Sequence, residues 1–273
     1  MRFIRLCCYD LRQGFYKNLG RYLFCGILFA AFTLLFFREI ERNYLSGVTR
    51  SCVDYLIFLT RGVIEYNPES GTGFEIPLIW FLQNIMLSLL VSNYVTEDLE
   101  KFGIQLMIRM RRKHAWWFSK CVWLFSTVFA FHMIKIIFAL GSGTISIQAN
   151  ADFNERLYGL DVRGMSRFDL LLFLWILPFL TSLTLALFQM YLSLVLSAIY
   201  AFILMIGYLV VSAFYLHPLL IGNNTMLLRS AFVYTGGIDV KKAVVITMVL
   251  SLLVIIFGYI KTKRYDILER GDV

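Results

Sequence analysis

Long apolar runs, each close to the length of a bilayer crossing and separated by short charged segments, set the pattern of this chain. The runs are continuous rather than alternating. In lipid a spanning backbone must satisfy its own hydrogen bonds, and continuous runs select helices over a closed barrel. A crossing helix needs about 20 apolar residues. Six crossings fit: Tyr22–Phe37, extendable to Ile40; Ile76–Val95; Trp116–Phe138; two within Asp169–Tyr215; and Ala243–Ile260. As one helix, Asp169–Tyr215 would be about 70 Å long, so it must turn back, and the turn is placed near Gln189–Ser193. Pro178 is expected to kink the fourth span rather than end it. The predicted fold class is an all-α integral membrane protein of six transmembrane helices, one domain filling residues 1–273.

The segments between the runs carry their own patterns. At helical spacing Ile4, Cys7, Cys8, Leu11, Phe15 and Leu19 form an apolar stripe, with Arg2, Arg5, Arg12 and Lys17 mainly off it. That predicts an interfacial amphipathic helix over 1–21 leading into the first span, and the five basic residues before Tyr22 argue against a cleavable signal peptide. In the segment 96–115 Leu99, Phe102, Leu106 and Met110 share one helical face. Glu97, Asp98, Glu100 and Lys101 cluster at its N-terminal end, and Arg109, Arg111, Arg112 and Lys113 at its C-terminal end, a polarity that complements the helix dipole. Trp116 and Trp117 are expected to anchor the return at the membrane interface. The stretch Val53–Ile64 is too short to span and predicts an interfacial helix or lid. Residues 217–240, with turn residues at both ends and an apolar middle, predict a re-entrant or interfacial outer hairpin.

Composition agrees with the pattern: 59% of residues are hydrophobic and only 16% charged, where a soluble domain carries about 25%. The net charge of +8 concentrates in residues 1–21, 96–120 and the C-terminal tail. This places both termini inside and attracts anionic membrane lipids. No basic soluble domain exists to bind nucleic acid.

Catalytic chemistry is not evident. The three histidines lack metal-ligand spacing, no HExxH or P-loop occurs, and no carboxylate pair lies within a span. The expectation is no catalytic site, no metal and no cofactor in this chain. Lys135, near the outer end of the third span, has two readings, a snorkelling side chain or an ion-path residue. Gln83, Asn84, Asn93 and Gln189 are the scattered polar candidates for a translocation path. Arg229, in the outer hairpin, is either a snorkelling surface residue or an outer gate. The five cysteines offer no outer pair for a disulfide.

The layout resembles that of type-2 ABC exporter permeases. The resemblance is carried by six spans, the basic N-terminal helix, and the loop Glu97-Asp98…Gly103…Arg109…Arg112…Trp116-Trp117…Lys120. The outer hairpin and the short tail with Tyr265-Asp266-Ile267 add to it. It implies a bacterial, multi-pass plasma-membrane protein, with a second permease copy completing a homo- or heterodimer. It also implies a separate P-loop ATPase, which binds ATP and Mg and docks on the elbow helix, Arg2–Leu19, and the coupling helix, Glu97–Arg112. The apolar spans suit an amphipathic or hydrophobic cargo, with a peptide leading; the compact size is similar to that of phenol-soluble-modulin exporters. A different reading is a membrane immunity or stress protein that works without an ATPase.

Overall fold

A computed structural model of the chain describes residues 2–45, 47–66, 75–99, 113–146, 148–160, 164–234 and 236–264. The fold is all-α. Helix α1 spans Arg2–Arg42, α2 Cys52–Thr60, α3 Leu78–Val91, α4 Tyr94–Asp98, α5 Lys113–Ser142 and α6 Ala151–Tyr158. Helix α7, Arg167–Leu171, continues through a π-helical stretch, Leu172–Ile176, into α8, Leu177–Val195. Helix α9 is Ala198–Phe214 and α10 is Val240–Lys263, with 3₁₀ turns at Ile221–Thr225 and Leu227–Arg229 between them. Among the described residues, five helical stretches are long and apolar enough to cross a membrane: Phe3–Arg42, Leu78–Asp98, Lys113–Ser142, Arg167–Val195 and Val240–Lys263. The protein is a multi-pass helical membrane protein. The apolar helix Ala198–Phe214 has 17 residues, at the short end of what spans.

Several boundaries differ from the sequence expectation. The N-terminal 21 residues are not a separate elbow: α1 is one helix of 41 residues, about 62 Å long at 1.5 Å per residue. No Pro interrupts it, and nothing else in its sequence forces a break. Its inward face is also not the apolar stripe. Ile4, Phe15 and Leu19 are exposed, whereas Leu6, Asp10, Gly14 and Asn18 are buried. In lipid the apolar face turns outward and the small and polar face finds protein partners. The turn after the fourth span falls at Leu196 and Ser197, where the backbone leaves the helical region. Gln189 lies inside α8 instead of in a turn. Pro178 sits in the first turn of α8, directly after the π-helical stretch. Its missing N–H removes one bond of the helical ladder, and the widened turn before it accommodates the change.

Helix α2 is neither interfacial nor a lid. Every residue of it except Phe58 is buried. Ser51 and Asp54 form a capping box at its start. Asp54 also accepts from the Asn150 backbone N–H at 2.9 Å and the Asn154 amide at 2.6 Å, locking α2 to the N-terminus of α6. Tyr55 packs edge-on to Phe36 at 5.4 Å, and Phe29 meets Phe131 at 5.4 Å, so α1, α2 and α5 share one aromatic core. Residues Ile221–Ser230, between α9 and α10, are buried except Leu228. Trp80 donates to Thr225 at 2.7 Å and Asn224 to Thr247 at 3.2 Å, which ties the hairpin to α3 and α10.

Two close approaches explain glycines. A Cβ on Gly14 would collide with the Trp123 indole, and one on Gly258 with the Trp117 indole. These glycines let α1 and α10 lie against the tryptophans of α5. Gly14→Val and Gly258→Val should each destabilise by about 1–3 kcal/mol. The check is a lowered thermal midpoint of the purified protein in detergent, with Gly20→Val, which meets open space, as the reference.

Burial raises the Asp54 carboxyl above its ordinary 3.8, against the opposing effect of its hydrogen-bond donors. The folded state therefore holds this proton more tightly than the unfolded chain. The stability contributed is fully present below about pH 4 and is lost as the pH rises through the folded value. Asp54→Asn should flatten this part of the stability profile, read as thermal midpoints between about pH 4 and about pH 7.

Candidate functional site

A lone acidic residue stands in the first 38 positions of the chain, Asp10. Helix α1 carries it to the buried face one turn before Gly14, where it meets the entry to α5. The Lys120 ammonium lies 2.6 Å from Asp10 Oδ1 and 2.7 Å from Asp98 Oδ2. All three side chains are almost fully buried. The Trp116 indole N–H donates to Asp98 Oδ2 at 2.9 Å, the Ser119 hydroxyl donates to Asp10 Oδ2, and the Tyr94 hydroxyl donates to Asp10 Oδ1 at 3.1 Å. The ammonium also lies over the Tyr94 ring at 4.8 Å and beside the Trp116 ring at 5.4 Å. A buried cation is tolerable only when paired and hydrogen-bonded, and here two carboxylates and two aromatic faces surround it.

The position of this cluster matters as much as its strength. Asp98 ends α4 and Lys120 lies two turns into α5, so the cluster brackets the segment 99–119 and fastens both of its ends to α1. Outside the cluster Lys17 pairs with Glu97 at 3.4 Å on a partly exposed surface, a contact worth at most about 1 kcal/mol.

The helix break at Ser92 and Asn93 is held by the same helix. The last carbonyls of a helix have no intrahelical donors. In α3 the Leu90 carbonyl accepts from Asn18 at 3.1 Å, Leu89 from Arg21 at 2.8 Å, and Ser88 from Gln189 at 3.0 Å. Polar residues of α1 and α8 thus cap α3 where it stops.

The predicted site residues are placed as follows. Glu97 and Asp98 are at the base of the bracketed segment. Phe102, Leu106, Arg109, Met110, Arg111 and Arg112 lie outside the described residues, as do Gly103 and the tail Tyr265-Asp266-Ile267. Arg2 belongs to α1, Arg5 and Arg12 are exposed, Phe15 is at the exposed side and Leu11 is half-buried. Trp116 and Trp117 are not interfacial anchors. Both are buried, the first on Asp98 and the second donating to the Ile255 carbonyl at 3.0 Å.

Three of the four polar residues proposed for a path, Gln83, Asn84 and Gln189, are used for internal bonding. Gln83 donates to the Leu59 carbonyl at 3.0 Å, and Asn84 to the Trp80 carbonyl at 2.8 Å. Gln189 exchanges bonds with Ser88, and Asn93 sits in the break after α3. Asn84 and Gln189 meet at a void of about 10 Å³, room for one water at most. Arg229 is not a snorkelling surface residue. It is 1% exposed and gives its guanidinium to the carbonyls of Val63 at 2.9 Å, Ser212 at 2.5 Å and Tyr215 at 3.3 Å, as well as to Ala213 and Asn223. It caps the C-terminus of α9, where a cation also suits the helix dipole. Burial lowers its pKa, opposed by Glu65. Among the described residues no group of three or more His, Cys, Asp and Glu is placed to hold a metal ion.

Residues 23–268 match the family described as "Protein of unknown function (DUF2705)". The chain is a member of the DUF2705 family. No curated protein and no solved structure matches it. The charge cluster of this DUF2705 protein was missed by hydropathy reasoning, which used Lys120 only as a topology marker. The available signals were the solitary Asp10 in a basic, apolar helix and its i+4 and i+8 neighbours Gly14 and Asn18, which make a small and polar stripe.

Removing the ammonium should be the most damaging single change at the cluster. Lys120→Met leaves two buried carboxylates facing each other and should cost about 3–5 kcal/mol. Asp98→Asn leaves a neutral Asp10–Lys120 pair and should cost less. Asp10→Asn and Asp98→Asn added to Lys120→Met should recover part of the loss. Unfolding midpoints of the purified variants in detergent test this order.

Proposed function

We propose that this protein is the transmembrane permease subunit of an ATP-driven ABC exporter. In this reading it has six spans, with Ala198–Phe214 as the fifth, and both termini face the cytosol of a bacterial cell. A separate P-loop ATPase docks on the segment 96–115, and a second permease copy completes the transporter. The cargo is amphipathic or hydrophobic, with a peptide as the first candidate, and it moves outward.

The observation that carries this reading is the Asp10–Lys120–Asp98 cluster. A loop that only obeyed a topology rule would need no buried ion pairs at its two ends. A segment that receives force from a partner does need them, because motion must pass to several helices together. Coupling between distant sites requires a contiguous element that both sites bias. Here α1, α4 and α5 are joined at one buried point, at the two positions in the chain, Asp98 and Lys120, that flank the proposed docking segment. The internal use of Gln83, Asn84 and Gln189 supports the second copy, since a passage then has to form between chains rather than within one. The amphipathic pattern of Phe102, Leu106 and Met110 supplies the apolar face for a groove on the ATPase.

In this reading the mechanism is mechanical. ATP binding draws two ATPase subunits together. Each pulls on a segment 96–115, and the buried cluster turns that pull into a rigid-body shift of α1 and α5. The interface between two permease copies then opens outward.

The test is to isolate the chain from its native membrane in mild detergent and measure nucleotide hydrolysis and co-purifying subunits. A stoichiometric P-loop ATPase that is lost on Phe102→Asp is the expected outcome. Lys120→Arg, which keeps the charge, should retain the partner. A chain that purifies alone and hydrolyses no nucleotide would overturn the proposal and favour the ATPase-independent immunity reading.

A further inference from the structure

On the flank of α5 opposite the charge cluster's end, Lys135 is 3% exposed. It lies about two turns before the helix ends at Ser142, yet it does not snorkel. The described residues provide its ammonium with no carboxylate and no hydrogen-bond acceptor. The neighbouring His132 is occupied, with Nε2 3.2 Å from the Ser182 hydroxyl. Lys135 and His132 line a groove of about 330 Å³ whose other walls are apolar, among them Leu56, Phe129, Met133, Trp175, Phe179 and Leu180. Leu174, Trp175 and Ile176 on one wall come from the π-helical stretch, a kind of turn that recurs at functional sites. The rim residues Phe129, Met133 and Ile176 are exposed, so the groove opens on the outer surface of the chain.

A lone ammonium in such surroundings is costly unless an anion comes with it. The walls suit a hydrocarbon chain, and a groove of this size is within the range of small-ligand sites. We propose that this groove binds one anionic amphiphile, an acyl chain with a carboxylate or phosphate head, and that Lys135 pairs with the head while the chain lies between α5 and the π-helical stretch. The ligand is drawn either from the bilayer, as an anionic phospholipid, or from free fatty acid. The proposal does not depend on the export reading, since it concerns a groove between α5 and the π-helical stretch and not the docking segment.

Trp175 provides the reporter. It is half-buried in the groove wall, whereas Trp80, Trp116, Trp117 and Trp123 are buried and shielded from contact quenching by a bromine atom. The full chain is placed in nanodiscs of phosphatidylcholine and titrated with dibromostearate. In parallel, discs are prepared with brominated phosphatidylglycerol or brominated phosphatidylcholine. The expected result is saturable quenching by an anionic brominated probe that disappears in Trp175→Phe. Its apparent affinity should fall about tenfold or more in Lys135→Met, as for loss of a charged hydrogen bond, and stay near the original in Lys135→Arg. Saturable quenching by dibromostearate assigns the ligand to free fatty acid; quenching by phosphatidylglycerol alone assigns it to the bilayer. Equal quenching by phosphatidylcholine, no saturation with either anionic probe, or an unchanged affinity in Lys135→Met would each overturn the proposal. The comparison of anionic with zwitterionic probe uses the unaltered protein and holds even if Lys135→Met fails to fold.

Discussion

Placing an ammonium in the interior of a membrane protein is costly, and the way Lys120 is compensated organises one whole end of this molecule. Its two carboxylate partners come from α1 and from the short helix after α3, both earlier in the chain, one more than twenty residues before it and the other more than a hundred. Each member is costly to bury alone. The three segments therefore have to meet at one point. Once they do, Asn18 and Arg21 are one and two turns along α1 from Gly14, in reach of the open end of α3, and Gly14 leaves room for Trp123. The close packing of α1 on α5 depends on this join.

The opposite end uses a different solution to the same problem. There the exposed ends of helices, and not buried side chains, are what must be satisfied. Arg229 does this for α9, and Asp54 for the starts of α2 and α6. Both groups are nearly inaccessible, so the described connections that they hold are packed structure. The contrast with Lys135 is instructive. Lys120 and Arg229 have full sets of partners supplied by the chain, and Lys135 has none among the described residues. This difference is the physical basis for assigning the first two to structure and the third to a ligand.

Membership in the DUF2705 family places the chain among relatives without assigning a role. The proposed role as an exporter permease rests on the layout and on the cluster that brackets the segment 99–119. A rigid join at both ends of a charged, amphipathic segment of sequence is what force transmission requires. The same join in a protein without a partner would be a costly way to hold a loop.

Hydropathy alone located the long apolar helices, though not the short helix α6, because backbone hydrogen bonding in a helix is local and the cost of leaving it unsatisfied in lipid is large. Tyr22–Phe37, Trp116–Phe138 and Ala243–Ile260 all fall inside observed helices. Their ends were legible only to within several residues, as the turn at Leu196–Ser197 and the unbroken start of α1 illustrate. The inward faces were not legible. In water an apolar stripe points to the core; in lipid Ile4, Phe15 and Leu19 are equally well placed facing outward, so periodicity loses its sign. The positions of Asp10, Asn18, Lys120 and Arg229 settle which face turns inward, and their partners lie too far along the chain for any local pattern to pair them. Only the tertiary structure could bring an ammonium, two carboxylates and the ends of three helices to one place, because that choice is made by the cost of burying charge and not by the hydrophobicity of any single segment.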